Sequence, residues 1–216
     1  MAPHSAGAAP DCRGIFPAPG ILWITATDRP PHGTVTPVNR DLGPSSLELR
    51  PLAESDWAAV HEWASLDEVS RYQAWGPNSE EQTRSFVRQA AEVWAVEPQT
   101  WFIYAILVAG VVVGTVELNL RGNGQGEIGY SLNPACWGRG LATAATTRLL
   151  EIGFGEHRLH RIYATCDPRN APSKRLLERL GMTHEGRLRE NLRIRDGWRD
   201  SEVYSLLEHE WRDRRA

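Results

Sequence analysis

The sequence predicts one α/β domain built on a mixed sheet, and three observations carry that prediction. From Leu47 onward, apolar strands and amphipathic helices follow the order β-α-α-β-β-β-α-β-α-β-β. The 216 residues, 41% of them apolar, suit one core. A chain of this size buries roughly 70% of its unfolded surface, so it needs no disulfide or structural metal. Composition also changes sharply near residue 44. Eight of the fourteen prolines and five glycines precede that point, with Ile21-Leu22-Trp23-Ile24 as the single apolar knot. Such a stretch cannot bury enough surface to offset its ordering entropy. Residues 1–44 are therefore read as a disordered extension and 45–213 as the domain.

Leu47-Glu48-Leu49-Arg50 alternates apolar and polar, the period of a short strand. Ser55–Ala64 places Trp57, Val60, Trp63 and Ala64 on one helical face. Ser79-Glu80-Glu81-Gln82 is a capping box, opening a helix that runs towards Trp94. Trp101–Ala109 and Val111–Leu120 are apolar strands joined at Ala109-Gly110, a hairpin signal. After the turn-rich Gly122–Gly126, Glu127–Leu132 forms a strand, and a helix follows from Leu141 to Phe154. Leu159–Cys166 is a strand, and Pro172–Leu180 a helix ended by Gly181 in the C-cap position. Thr183–Arg193 and Arg199–Glu208 close the sheet. The segment from Leu66 to Asn78, between the first two helices, reads as a loop.

Several function classes are disfavoured by composition. Cys12, Cys136 and Cys166 are odd in number and lack metal-type spacing, which argues against a disulfide framework or zinc ribbon. The seven histidines show no ligand spacing, so no metal is expected. No apolar run reaches the 18 or more residues of a membrane span, and no basic-then-apolar leader opens the chain. A cytoplasmic protein without a membrane partner is the expectation. Up to Cys136 there are 8 basic and 15 acidic residues, and from Trp137 there are 16 and 12. A basic second half can hold a phosphorylated ligand, while the slightly acidic whole argues against nucleic acid.

Two segments carry chemistry. Glu127-Ile-Gly-Tyr-Ser-Leu-Asn-Pro-Ala-Cys-Trp-Gly-Arg-Gly-Leu-Ala-Thr143 reads strand, tight loop, helix start. Gly138 and Gly140 remove side chains where backbone must approach a ligand, and the helix offers unpaired N–H groups suited to a pyrophosphate. No Gly-Lys-Ser/Thr follows, so it is not a Walker loop. Thr143 occupies the third glycine position of a dinucleotide fingerprint, so it is not that either. In the second segment, Asn170-Ala-Pro-Ser173-Lys-Arg-Leu-Leu-Glu-Arg-Leu-Gly181-Met182, Asn170 either caps a helix or presents its amide to a ligand.

In this order, about 30 residues apart, the two segments resemble the GNAT acyltransferase superfamily, and more closely its RimJ/RimL-type branch. Trp137-Gly-Arg-Gly140-Leu-Ala142 matches the first family signature with Trp in its first slot, and Asn170, Ser173 and Leu180-Gly181-Met182 match the second. Gly186–Arg189 and Gly197–Leu206 are similar to that branch as well. The resemblance implies a mixed, mostly antiparallel central sheet with splayed middle strands, flanked by helices. It implies acetyl-CoA as co-substrate, with pantetheine beside Tyr130, Ser131 and Leu132 and pyrophosphate on Trp137, Gly138, Arg139, Gly140, Leu141, Ala142 and Thr143. Asn170 would join that site. Many members carry Tyr four residues beyond the Ser173 position as acid for the departing thiolate; this chain has Leu177, so that role is vacant or passes to Ser173.

The implied reaction is N-acetylation of a primary amine by direct attack. It requires a proton acceptor for the amine, a backbone N–H near Ser131 or Leu132 on the thioester oxygen, and a donor to the thiolate. Glu127 is the expected base and Glu117, on the neighbouring strand, the second candidate. Cys136 as acyl carrier lacks a neighbouring His. Acceptor contacts are expected from Tyr72, Trp75 and Glu117. At pH 7 an α-amine is about 10% free base and a lysine-type amine about 0.04%, which leans towards protein N-terminal or amino-acid amines. Small-molecule amines, another acyl-CoA, and a non-catalytic CoA-binding module remain as alternatives. The sequence leaves monomer or homodimer open.

Overall fold

The computed structural model describes residues 46–215, so the reading of residues 1–44 lies outside the described residues. Strand β1 (Leu47–Pro51) is followed by helices α1 (Trp57–Ala64), α2 (Asp67–Ser70) and α3 (Glu80–Glu92). Strands β2 (Trp101–Val108), β3 (Val111–Leu120) and β4 (Gln125–Leu132) lead to α4 (Leu141–Gly155). Then come β5 (Arg161–Cys166), α5 (Ala171–Arg179), β6 (Thr183–Ile194), β7 (Gly197–Leu207) and α6 (Glu208–Asp213). The seven strands form one sheet in the order β1-β2-β3-β4-β5-β7-β6. Only β4 and β5 pair in parallel; every other pair is antiparallel.

The local signals produce these elements for identifiable reasons. Ser79 Oγ accepts from the Gln82 backbone N–H at 3.2 Å, and Gln82 Oε1 accepts from the Ser79 N–H at 2.8 Å. Two otherwise orphan donors are thereby satisfied where α3 starts. Ala109 and Gly110 both take positive φ, 49° and 77°, which matches a tight hairpin to the twist of its strands. Gly181, at φ 79°, ends α5. Two short helices lie outside the sequence reading. The four-residue α2 replaces part of the expected loop, and α6 follows the last strand, with Trp211 stacked on Phe154 at 5.9 Å.

Strand alternation divides the core between two faces of the sheet. Phe102, Ile106, Val116, Leu118, Ile128 and Ile162 pack with Leu141, Ala145 and Leu149 of α4 and Leu176 and Leu177 of α5. Ile103, Ala105 and Leu107 point the other way, against Val60, Trp63 and Ala64 of α1 and Val87 and Ala90 of α3. Trp63 is 1% exposed, and a fully buried side chain of this kind contributes roughly 1.5–3 kcal/mol. Beside α1, Asp56 accepts two hydrogen bonds from Arg50, at 2.6 and 2.8 Å, and one from the Ala53 N–H at 2.9 Å. Burial alone would raise its pKa, but the Arg50 bonds and charge and the Ala53 N–H together prevail and lower it.

Candidate active site

Strands β4 and β5 pair only over Gln125–Glu127 and Arg161–Tyr163. Beyond that point β4 stays with β3 and β5 stays with β7, so the two strands fork. Alternate residues of Ile128–Leu132 turn their backbone groups towards the side that β5 has left, and buried backbone groups require partners. A cavity of about 830 Å³ occupies the fork, within the range of small-molecule sites. Its walls include Gly129–Leu132, Ala164–Asp167, the loop before α4, the first turn of α5, and Tyr72 and Trp75 from the segment after α2.

The loop before α4 is shaped by two left-handed glycines, Gly138 at φ 73° and Gly140 at φ 75°, a conformation that strains side chains with a Cβ. Gly140 is the N-cap of the 15-residue α4 and provides no side-chain cap. By contrast, Ser79 caps α3 and Asn170 caps α5. The first amides of α4 are therefore left for something outside the helix. Trp137, Gly138, Gly140, Leu141, Ala142 and Thr143 line the cavity, whereas Arg139 does not. The Trp137 indole donates to the Leu132 carbonyl at 3.0 Å and ties the loop to the end of β4.

The two candidate carboxylates have different surroundings. Glu127 lies in the paired stretch, because β4 begins at Gln125 and not at Glu127 as the sequence pattern predicts. Its carboxylate accepts from Arg121 Nε at 2.9 Å, again from Arg121 Nη2, and from the Tyr163 hydroxyl at 3.3 Å. It does not line the cavity. Glu117 does. It sits opposite Gly129, where an added Cβ would come within 2.7 Å of Glu117 Oε1, so the missing side chain makes room for the carboxyl. Trp101 Nε1 donates to Glu117 Oε2 at 2.6 Å. Burial pushes the Glu117 pKa above the usual carboxylate range, against the opposing pull of that indole N–H.

On the opposite sheet face, Tyr130 of β4 and Ser173 of α5 meet across the fork, hydroxyl to hydroxyl at 2.6 Å. Burial raises the Tyr130 pKa well above its ordinary value. Asn170 Oδ1 accepts from the Ser173 N–H at 3.2 Å, and both residues line the cavity. Leu177 is fully buried in the core and brings no polar group to the site. Burial pushes the Cys136 thiol up and that of Cys166 up to about 11, which leaves little thiolate for a covalent acyl carrier. Ser131 lines the cavity with its buried Oγ unpartnered.

Residues 46–183 match the acetyltransferase (GNAT) domain family. The chain belongs to that family. It is 33% identical over 166 residues to an uncharacterized N-acetyltransferase, YnaD, of Bacillus subtilis, covering 76% of this chain and 95% of that one. A GNAT-family acetyltransferase from Bacillus anthracis superposes with TM-score 0.68 at 33% identity, over 76% of this chain and 96% of that one. RimJ of Mycobacterium smegmatis, solved in complex with CoA-disulfide, gives TM-score 0.69 at 26% identity, over 76% and 83% of the two chains. The protein is accordingly an acyltransferase with the open, mostly antiparallel sheet of GNAT enzymes.

Four features in or beside the cavity of this GNAT chain escape sequence reasoning. Trp101 reads as a strand apolar residue, and nothing in its spacing announces an indole on Glu117. Gly129 carries a signal in retrospect, since a glycine inside a strand marks close approach by a neighbour. Tyr130 is expected beside the pantetheine, but its hydroxyl contact with Ser173, like the Arg199 guanidinium in the cavity, depends on which strand segments part company. Among the described residues, no group of three or more His, Cys, Asp or Glu is placed to hold a metal ion, and no helix is long and apolar enough to cross a membrane.

Proposed function

We propose that the chain is an acetyl-CoA-dependent N-acetyltransferase of the RimJ/RimL type that acetylates a primary amine by direct attack. The observation that carries this reading is one cavity holding both the uncapped amides after Gly140 and the carboxyl of Glu117. Acetyl-CoA fits the residues present. The amides of Leu141–Thr143 suit its pyrophosphate, and the free edge of β4 suits its pantetheine amides, as an added strand would pair. The likeness to the mycobacterial RimJ supports the branch, and acceptors of the protein N-terminal or small-amine class remain the two forms of the reading.

Glu117 takes the base role first expected of Glu127. With its pKa raised by burial it is a better proton acceptor for an ammonium than an ordinary carboxylate, and Trp101 fixes its orientation. The amine nitrogen then attacks the thioester carbonyl carbon; the C–N bond forms, the C–S bond breaks, and the second amine proton passes through water to the departing thiolate. A backbone N–H on the free edge near Ser131 or Leu132 polarises the carbonyl oxygen. Ser173 donates a hydrogen bond to the departing sulfur, backed by the Tyr130 hydroxyl, and water supplies the proton that leaves free thiol.

The test is thiol release from acetyl-CoA in the presence of an amine panel of peptide N-termini, amino acids and polyamines. Amine-dependent release with matching acetylated product is expected. Tight acetyl-CoA binding with no release above background for any amine would overturn the reading.

A further inference from the structure

Arg199 of β7 is 8% exposed and lines the cavity, yet its Nε and Nη1 have no hydrogen-bond partner. An unpaired buried guanidinium is costly, and native structures pair nearly all such groups. The carboxylate that acts on Arg199 is Asp167, itself 1% exposed, but its two oxygens accept from the Arg169 side chain at 2.9 and 2.8 Å and from the Arg169 N–H at 2.8 Å. Burial lowers the Arg199 pKa, and Asp167 opposes that only through space, without a hydrogen bond to it. The guanidinium therefore has a place for an anion that the protein itself does not fill.

The sheet register states which ligand that anion belongs to. Glu117 and Asn119 share a face; Asn119 pairs with Glu127, Glu127 with Tyr163, and Tyr163 with Ser205. Arg199 and Ser201 stand on the Ser205 face by strand alternation. Arg199 and Glu117 are thus on the same side of the sheet, and α4, whose first amides are suited to the pyrophosphate, packs on the other. Arg199 also extends past the last β5–β7 pair, Cys166 with Glu202, into the wide part of the fork.

Resting on the proposed transferase reading, we infer that Arg199 is an anion subsite for the acceptor, which is an amine carrying a carboxylate in the same molecule, the amino-acid class. The planar guanidinium suits a carboxylate, and a polyamine would face like charge there. A peptide N-terminus offers a neutral carbonyl at that place and gains less.

Calorimetry on the CoA-loaded protein, titrated with the N-acetyl derivatives of the common amino acids and the matching N-acetyl carboxamides, tests this without a titrating amine. At least one acid should bind ten- to a hundredfold more tightly than its carboxamide, the scale of one charge-assisted hydrogen bond. That ratio should fall to about one in Arg199→Met and stay partly above one in Arg199→Lys. Three results would overturn the inference: no acid preferred by the parent protein, a preference that survives in Arg199→Met, or acetyl-CoA affinity falling tenfold in that variant, which would give the guanidinium to CoA. Should Arg199→Met not fold, the parent ratio and Arg199→Lys still decide. Thiol release with free amino acids is read separately, so lost transfer with retained acid preference would count against the transferase reading alone.

Discussion

The closed and open ends of the β4–β5 seam share one sheet and one sequence stretch but treat polar groups in opposite ways. At the closed end, Glu127 is held by Arg121 and Tyr163, and Arg161 reaches Gln125 at 3.0 Å and Glu185. At the open end, Ser131 Oγ, further along β4, and two nitrogens of Arg199, on the adjoining β7, lack partners. Buried polar groups satisfied within the protein hold it together; those left unsatisfied point to a ligand. The difference separates two glutamates that look alike in sequence.

The largest effect is expected at Glu117. Glu117→Gln should lower turnover by roughly a hundred- to ten-thousandfold, the usual contribution of a positioned base, with acetyl-CoA affinity little changed. Because its pKa is raised by burial, the parent kcat/KM should climb with pH along a limb above the usual carboxylate range, and the variant should lose that limb. The same shift disfavours the folded carboxylate. Its stabilising contribution, present below the unfolded pKa, is lost as pH rises through the folded one, so melting temperatures at pH 8 should favour Glu117→Gln.

Gly140→Val comes next. A β-branched residue at φ 75° is strained and stands in the approach to the first α4 amides, so acetyl-CoA affinity by calorimetry should fall on the order of a hundredfold. An unchanged affinity in a folded variant would remove the loop from the open-end site. Ser173→Ala should slow turnover about ten- to a hundredfold, the worth of one hydrogen bond to a charged sulfur. A variant as fast as the parent, in single-turnover measurements of the chemical step, would leave Ser173 only its place in the first turn of α5.

Glu127→Gln should change least. Turnover should stay within about threefold of the parent, while chemical denaturation should show a loss of up to ~1 kcal/mol, because its partner Arg121 is 31% exposed and screened. A turnover loss equal to that of Glu117→Gln would erase the distinction between the two ends of the seam.

The sequence by itself determined the α/β class, the order and approximate bounds of the strands and main helices, and the glycine loop before α4. These rest on local causes: hydrophobic period, a capping box, and glycines where φ must be positive. The short α2 and α6 carry too few residues for a period to register. Tertiary structure alone decided where β4 leaves β5. That divergence assigns Glu127 to a salt bridge and Glu117 to the cavity, gives Tyr130 to Ser173, and leaves two nitrogens of Arg199 without a partner. Each of these follows from register between segments far apart in the chain. A strand's own pattern states which residues share a face, but not where its neighbour departs.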